Sequence, residues 1–227
     1  MAAALTQDSD DSDDYALDAR DLIDISVAFA AHTPPWPGDT PFSCGWAWAM
    51  ADGASVNVSA WKTSPHVGTH ADAPLHVLRD GAGADALPLE PFVGPARVAD
   101  LRHLTGAISL AQLTDAGWTP GTIRLLLRTG QSTATGRFPT AWPALAPETA
   151  AALVADGLRL LAVDCPSVDD RESKTLKVHH TLFRGRCYVL ENLNLEHVHA
   201  GTYQLIAPPL KVGACDAAPV RALLARR

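Results

Sequence analysis

At 227 residues, with 47% apolar and 19% charged residues, the chain can bury one substantial core and has the composition of a water-facing folded domain. The formal net charge of −7 resides in the first 24 residues, which hold eight aspartates and one arginine, so the remainder is balanced at 17 basic against 17 acidic residues. With no clustered basic track and no apolar run of membrane-spanning length, nucleic-acid and membrane partners are excluded at this level.

Residues 1 to 20 read as a disordered acidic tail kept solvated by its charge, and residues 21 to 227 as a single domain. The opening has no basic segment followed by an apolar stretch, so it is not a secretory signal. The four cysteines, at 44, 165, 187 and 215, show no C-x-x-C spacing and no scaffold density. Reduced thiols in a cytoplasmic protein are therefore expected.

Past the tail, LIDISVAF (22 to 29) has the apolar density of a strand. AHTPPWPGDTPF (31 to 42) is a proline-rich loop displaying Trp36, either a ligand-stacking platform or ordinary packing. SVNVSAW (55 to 61) alternates as a strand should and delivers the chain to SPHVGTHADAPLH (64 to 76).

In that segment His66, His70, Asp72 and His76 fall at the spacing H-x-x-x-H-x-D-x-x-x-H. A helix would put His66 and His70 on one face but turn Asp72 about 200° away from His70. An extended chain puts all four on one side, but spreads His66 and His70 roughly 13 Å apart. The chain must therefore bend between them, and Gly68 is where it can, while leaving no side chain in the space an ion would fill. Pro65 and Pro74 oppose a helix across the segment. Imidazole and carboxylate suit a first-row divalent ion such as zinc, and three protein ligands leave a position open for water, as at a catalytic site.

Residues 77 to 94 look like loop. ARVADL (96 to 101) reads as a strand and SLAQLTDAG (109 to 117) as a short helix with an S-x-x-Q cap and a glycine stop. TIRLLLRT (122 to 129) carries a near-continuous apolar run, as expected of a strand buried on both faces. PETAAALVADG (147 to 157) is a second helix, followed by a buried strand, LRLLAVD (158 to 164). This succession argues for an α/β fold. DCPSVDDRESKTLKVHH (164 to 180) is polar and turn-rich up to its paired histidines. CYVLENLNL (187 to 195) puts Glu191 at the end of an apolar strand, where a carboxylate needs a partner or a metal. TYQLIAPPLKV (202 to 212) reads as the last strand, stopped by Pro208 and Pro209.

Taken together, PPWPGDTPF, SVNV, SPHVGTHADAPLH, CPSVD, SKTL, VHH with VLENLNL, and YQLIAPPLKV with APVRALL resemble the bacterial kynurenine formamidases, metal-dependent arylformamidases of the cyclase-like amidohydrolase family. The likeness runs through residues 22 to 225. It implies a single compact α/β domain with a mixed, barrel-like β core flanked by helices, usually paired as a homodimer. It implies two divalent metal ions, most readily zinc, with manganese the alternative that the carboxylates allow. His66, His70 and Asp72 would hold the first, Asp72 would bridge to the second, and His179 and Glu191 would complete it. His179 is preferred to His180 because its separation from Glu191 matches the family pattern. His76 would carry the proton and Trp36 would lie against the substrate. The implied reaction is hydrolysis of N-formyl-L-kynurenine to L-kynurenine and formate, with ring opening of a cyclic aryl amide such as isatin as the nearest rival. The acidic extension and the charged DDRESK segment depart from the family pattern.

Overall fold

A computed structural model describes residues 18–226. Of the expected tail, positions 1 to 17 lie outside the described residues, and Ala19–Asp21 form one 3-10 turn capped by Asp18. The strands in chain order are β1 (Leu22–Asp24), β2 (Ser43–Trp48), β3 (Val58–Lys62), β4 (His70–Asp72), β5 (Val93–Asp100), β6 (Ala107–Ile108), β7 (Arg124–Arg128), β8 (Ala144–Leu145), β9 (Leu160–Val163), β10 (Tyr188–Glu191), β11 (Gly201–Ile206), β12 (Ala217–Pro219) and β13 (Leu223–Arg226). Three α-helices accompany them: α1 (Leu110–Asp115), α2 (Pro147–Ala155) and α3 (Lys177–Arg184). No helix among the described residues is long and apolar enough to cross a membrane.

Nine strands form one curled, mixed sheet in the order β1-β13-β11-β5-β7-β9-β10-β4-β12. Its centre, β5-β7-β9-β10, is parallel, and both flanks are antiparallel. This is the single α/β domain with a barrel-like sheet that was expected. Alternate residues of the central strands feed two cores, as a strand's twofold side-chain period requires. Leu125, Leu127, Leu161, Val163 and Val189 pack under Leu113 of α1, Leu153 of α2 and Leu182 of α3. Leu126, Leu160, Ala162 and Leu190 face the inside of the curl, against Leu195, Leu205 and Leu224.

The local chemistry of the two predicted helices holds. Ser109 and Gln112 exchange the reciprocal bonds of a capping box at the start of α1. Pro147 opens α2, and Gly157 takes the left-handed conformation (φ +98°) just beyond it.

Elsewhere the structure differs from the sequence expectation. The 22–29 strand shrinks to β1 because the chain turns aside to bond across the molecule: Val27 N–H donates to Thr69 Oγ1 at 2.7 Å. The segment 202–212 is not the last strand, since β12 and β13 follow β11. Pro219 is tolerated in β12 because that strand is the sheet edge. The paired histidines do not end a turn-rich stretch; they lie in α3, which has no capping side chain at Leu176. Strand β2, the partner of β3, was not foreseen, because every residue of both strands is exposed and no buried face marks them.

Candidate metal centre

Strand β4 is the spine of the site. His70 and Asp72 point to the helix side of the sheet, while Ala71 between them is buried in the inner core. In the antiparallel β4–β10 ladder His70 faces Glu191, which brings a carboxylate to the strand's histidine. The chain bends ahead of β4 at Gly68, whose φ of +68° favours glycine. The bend at glycine is as expected, but its missing side chain serves a different purpose from the one expected. A Cβ there would meet the Val27 carbonyl oxygen at 2.8 Å, so backbone approach, rather than room for an ion, excludes a side chain.

The bend carries His66 back over β4, with its Nδ1 3.1 Å from His70 Nε2 and 3.1 Å from Asp72 Oδ1. Helix α3 brings His179 to the other side of Asp72, with Nε2 3.2 Å from Asp72 Oδ2 and 3.3 Å from Glu191 Oε1. Glu191 Oε2 lies 3.6 Å from His70 Nε2. Each carboxylate thus turns one oxygen toward the His66–His70 side and the other toward His179. His180, one residue on and about 100° around the helix, points away from this cluster, and its buried Nδ1 has no hydrogen-bond partner.

The surrounding contacts decide which nitrogens face inward. His70 Nδ1 lies 2.9 Å from the Gly68 carbonyl, which can only accept, so that nitrogen bears the hydrogen and Nε2 presents a lone pair. His179 Nδ1 lies 2.6 Å from Asp169 Oδ2, with the same consequence. Asp169 also accepts the backbone N–H groups of Val178 and His179, replacing the missing cap of α3. Neutral imidazoles here therefore aim lone pairs at carboxylate oxygens, in a space where Asp72 Oδ1 is buried without a hydrogen-bond partner. Only positive charge resolves such a cluster.

Protons are one form of that charge. Burial opposes a charged His66, but Asp216 and Asp72 outweigh it and raise its pKa to about 10. Burial likewise opposes charge on His70, and Asp72 and Glu191 raise it to about 9. Divalent ions are the other form. A set of imidazole nitrogens and carboxylate oxygens with their outer atoms anchored fits zinc or manganese. Two groups, His66–Asp72–His76 and His70–Asp72–Glu191, each bring ligand atoms within 4.8 Å of one another.

His76 ends a 3-10 turn, Pro74–His76, at the mouth of the site, with its ring 4.4 Å from that of His66. Trp36, 38% exposed, meets Phe138 and Trp142 edge-on at 5.3 and 5.9 Å. It is both packed and displayed, lining a cavity of about 560 Å³ with Phe138, His66, His76, His179 and Glu191. Arg171 and Lys174 line the same cavity. All seven side chains singled out in the sequence, Trp36, His66, His70, Asp72, His76, His179 and Glu191, therefore converge.

Two residues escaped the sequence reading. Asp169 sits within the CPSVDD run that had been noticed without a role. Asp216, next to APVRALL, lies 3.0 Å from His66 Nε2 and 3.2 Å from His76 Nδ1. An aspartate among small residues carries no spacing signal of its own.

Residues 23–170 match the profile of the Cyclase family, described as Putative cyclase. Among solved structures, one described as a potential metal-dependent hydrolase with cyclase activity is 27% identical, covers 91% of this chain and 98% of its own, and superposes with a TM-score of 0.78. A predicted metal-dependent hydrolase from Bacillus stearothermophilus is also 27% identical over 91% of this chain and 98% of its own, with a TM-score of 0.77. Isatin hydrolase A from Ralstonia solanacearum shares the fold at 22% identity, over 89% of this chain and 90% of its own, with a TM-score of 0.74.

Proposed function

The chain belongs to the Cyclase family, and from that premise we propose that it is a metal-dependent hydrolase that cleaves N-formyl-L-kynurenine to L-kynurenine and formate. The observation that carries the hydrolase reading is the convergence of buried His70, Asp72, His179 and Glu191 with partly buried His66 at the base of a cavity. His66, His70 and Asp72 would hold one ion, and Asp72, His179 and Glu191 a second. When bound, such ions lower the pKa of a water and polarise the amide carbonyl.

The remaining work falls to the chain's own residues. His76, at the cavity mouth, takes the proton released on attack and returns it to the departing nitrogen. Trp36 and Phe138 offer an aromatic wall for the aniline ring of the substrate. Arg171 and Lys174 supply positive charge for the carboxylate of its amino-acid arm. Isatin has a ring but no such arm, which is why the linear formamide is preferred. The cavity volume of about 560 Å³ accommodates a molecule of this size.

We further read the working form as a homodimer. The β2–β3 hairpin exposes Trp46, Trp48 and Trp61 at 55–65%, together with Met50 and Val58. The register places Trp46 and Trp61 on one face of the hairpin, where the two indoles offer roughly 180–300 Å² of aromatic surface toward the roughly 800 Å² that each partner buries in a stable complex. An isolated two-stranded hairpin is marginal in water, and both outer edges of this one lack a strand neighbour among the described residues. From Ser43 to Lys62 its only charges are Asp52 and Lys62, so two copies meet without repulsion. A two-fold pairing of the same patch covers it on both copies at once.

The test is to incubate protein loaded with zinc, and separately with manganese, with N-formyl-L-kynurenine and with isatin, following kynurenine and formate in one case and ring opening in the other. Formamide cleavage that a chelator abolishes is expected. Isatin opening without formamide cleavage, or turnover unaffected by chelation, overturns the reading.

A further inference from the structure

Asp216 stands immediately before β12, and its carbonyl accepts the Ala73 N–H at 2.8 Å, so it is anchored to the strand that carries Asp72. One of its oxygens, Oδ2, receives two imidazoles: His66 through Nε2 at 3.0 Å and His76 through Nδ1 at 3.2 Å. These rings come from the two ends of the H-x-x-x-H-x-D-x-x-x-H segment, one before β4 and the other after it. A carboxylate oxygen only accepts, so both facing nitrogens must carry their hydrogens.

Two consequences follow from that one oxygen. With hydrogen on Nε2, a neutral His66 directs the lone pair of Nδ1 toward His70 Nε2 and Asp72 Oδ1, each 3.1 Å away. With hydrogen on Nδ1, His76 keeps Nε2 as the nitrogen that accepts and releases a proton. We propose that Asp216 is the positioning residue that sets both histidines in their working tautomers, aligning His66 as a ligand and His76 as the proton carrier. The proposal rests on the metal-dependent hydrolase reading given above. Asp216 touches neither the reacting atoms nor the ion cluster; it acts through the two rings. An outer carboxylate of this kind characteristically supports both orientation and basicity of a ligating histidine.

The experiment compares the wild type with Asp216→Ala and Asp216→Asn. Zinc affinity, measured by competition with a chromophoric chelator, is expected to fall about 10–100-fold in the alanine variant. The asparagine variant, which keeps an acceptor oxygen in place, is expected to recover part of that loss. Nitrogen-15 NMR of the zinc-loaded wild type should show hydrogen on His76 Nδ1 and on His66 Nε2, with the His76 preference lost in Asp216→Ala. Turnover should fall in kcat with KM little changed. The opposite tautomers in the wild type overturn the proposal whatever the variants do. An alanine variant with wild-type zinc affinity and an unchanged His76 tautomer overturns it too. Should no formamide be hydrolysed, the substrate reading fails while zinc affinity and the tautomers still decide the role of Asp216.

Discussion

His70 and Glu191 face each other across the β4–β10 ladder, with His70 Nε2 3.6 Å from Glu191 Oε2, although the two stand far apart in the chain. This pairing closes the site. Without it the early histidine–aspartate segment would lose the carboxylate that lies between His70 and His179, and a one-residue slip would turn Glu191 to the opposite face of the sheet. The site therefore depends on register, and its side chains act as a set.

Within that set His76 is separable. Its ring sits at the cavity mouth, and its Nδ1 is held by Asp216 rather than by the buried carboxylates. We expect His76→Ala to lower kcat by about 10²–10⁴-fold, the usual contribution of a positioned acid–base group. Metal content by atomic emission should stay at the wild-type ratio. Since a His76 ring nitrogen also lies within 4.8 Å of ligand atoms of His66 and Asp72, loss of an ion together with the activity would make His76 a ligand and refute its role as proton carrier.

The sheet's central strands were legible because β7 and β9 are apolar on both faces, and the caps of α1 and α2 are written in their end residues. The convergence of the early histidines and Asp72 was legible because H-x-x-x-H-x-D with a glycine bend has few structural alternatives. Helix α3 was not, because Asp169, distant from Leu176, does the capping, and short-range rules do not see it. Asp216 was hidden for a similar reason: its partners are His66 and His76, and only the β12–β4 pairing makes them neighbours. At the site, what the sequence left unread was thus carried by contacts of single polar residues outside their own segments.

Removing the ions should make stability depend on pH in a defined direction. His66 and His70 are raised to about 10 and about 9 in the folded chain, from an ordinary value of 6.5. The folded state therefore holds these protons more tightly than the unfolded one. The stabilisation is complete below pH 6.5, declines as pH rises, and is gone once pH passes through about 10. In chelator, the thermal midpoint should drop steadily between pH 7 and 9.5, relative to zinc-loaded protein in which ions take the place of those protons. A constant gap between the two curves over that window would sink this account.

Asp169 joins stability to the metal centre. It is buried, accepts the Val178 and His179 N–H groups, and holds His179 Nδ1 at 2.6 Å. Asp169→Ala leaves those donors without an acceptor, which should cost about 1–3 kcal/mol in urea unfolding. It should also weaken zinc binding by about 10–100-fold, because the His179 ring loses its anchor. A variant that loses stability yet keeps wild-type zinc affinity would limit Asp169 to capping the helix.

The hairpin prediction concerns assembly. If β2 and β3 meet their counterparts in a second copy, charge placed on their aromatic surface must separate the two. Trp46→Asp combined with Trp61→Asp would bring four carboxylates into a two-fold interface that otherwise carries only Asp52 and Lys62 from each hairpin. Desolvating them would cost far more than the indole contacts return. Sedimentation should show a wild-type dimer and a monomeric double variant. Trp61 also meets Phe29 and Phe42 at 6.1 and 6.4 Å, but both tryptophans are more than half exposed and lie outside the nine-stranded sheet, so the fold should survive and far-UV circular dichroism should be unchanged. A wild type that sediments as a monomer at micromolar concentration, or a double variant that stays dimeric, would place the contact elsewhere or remove it.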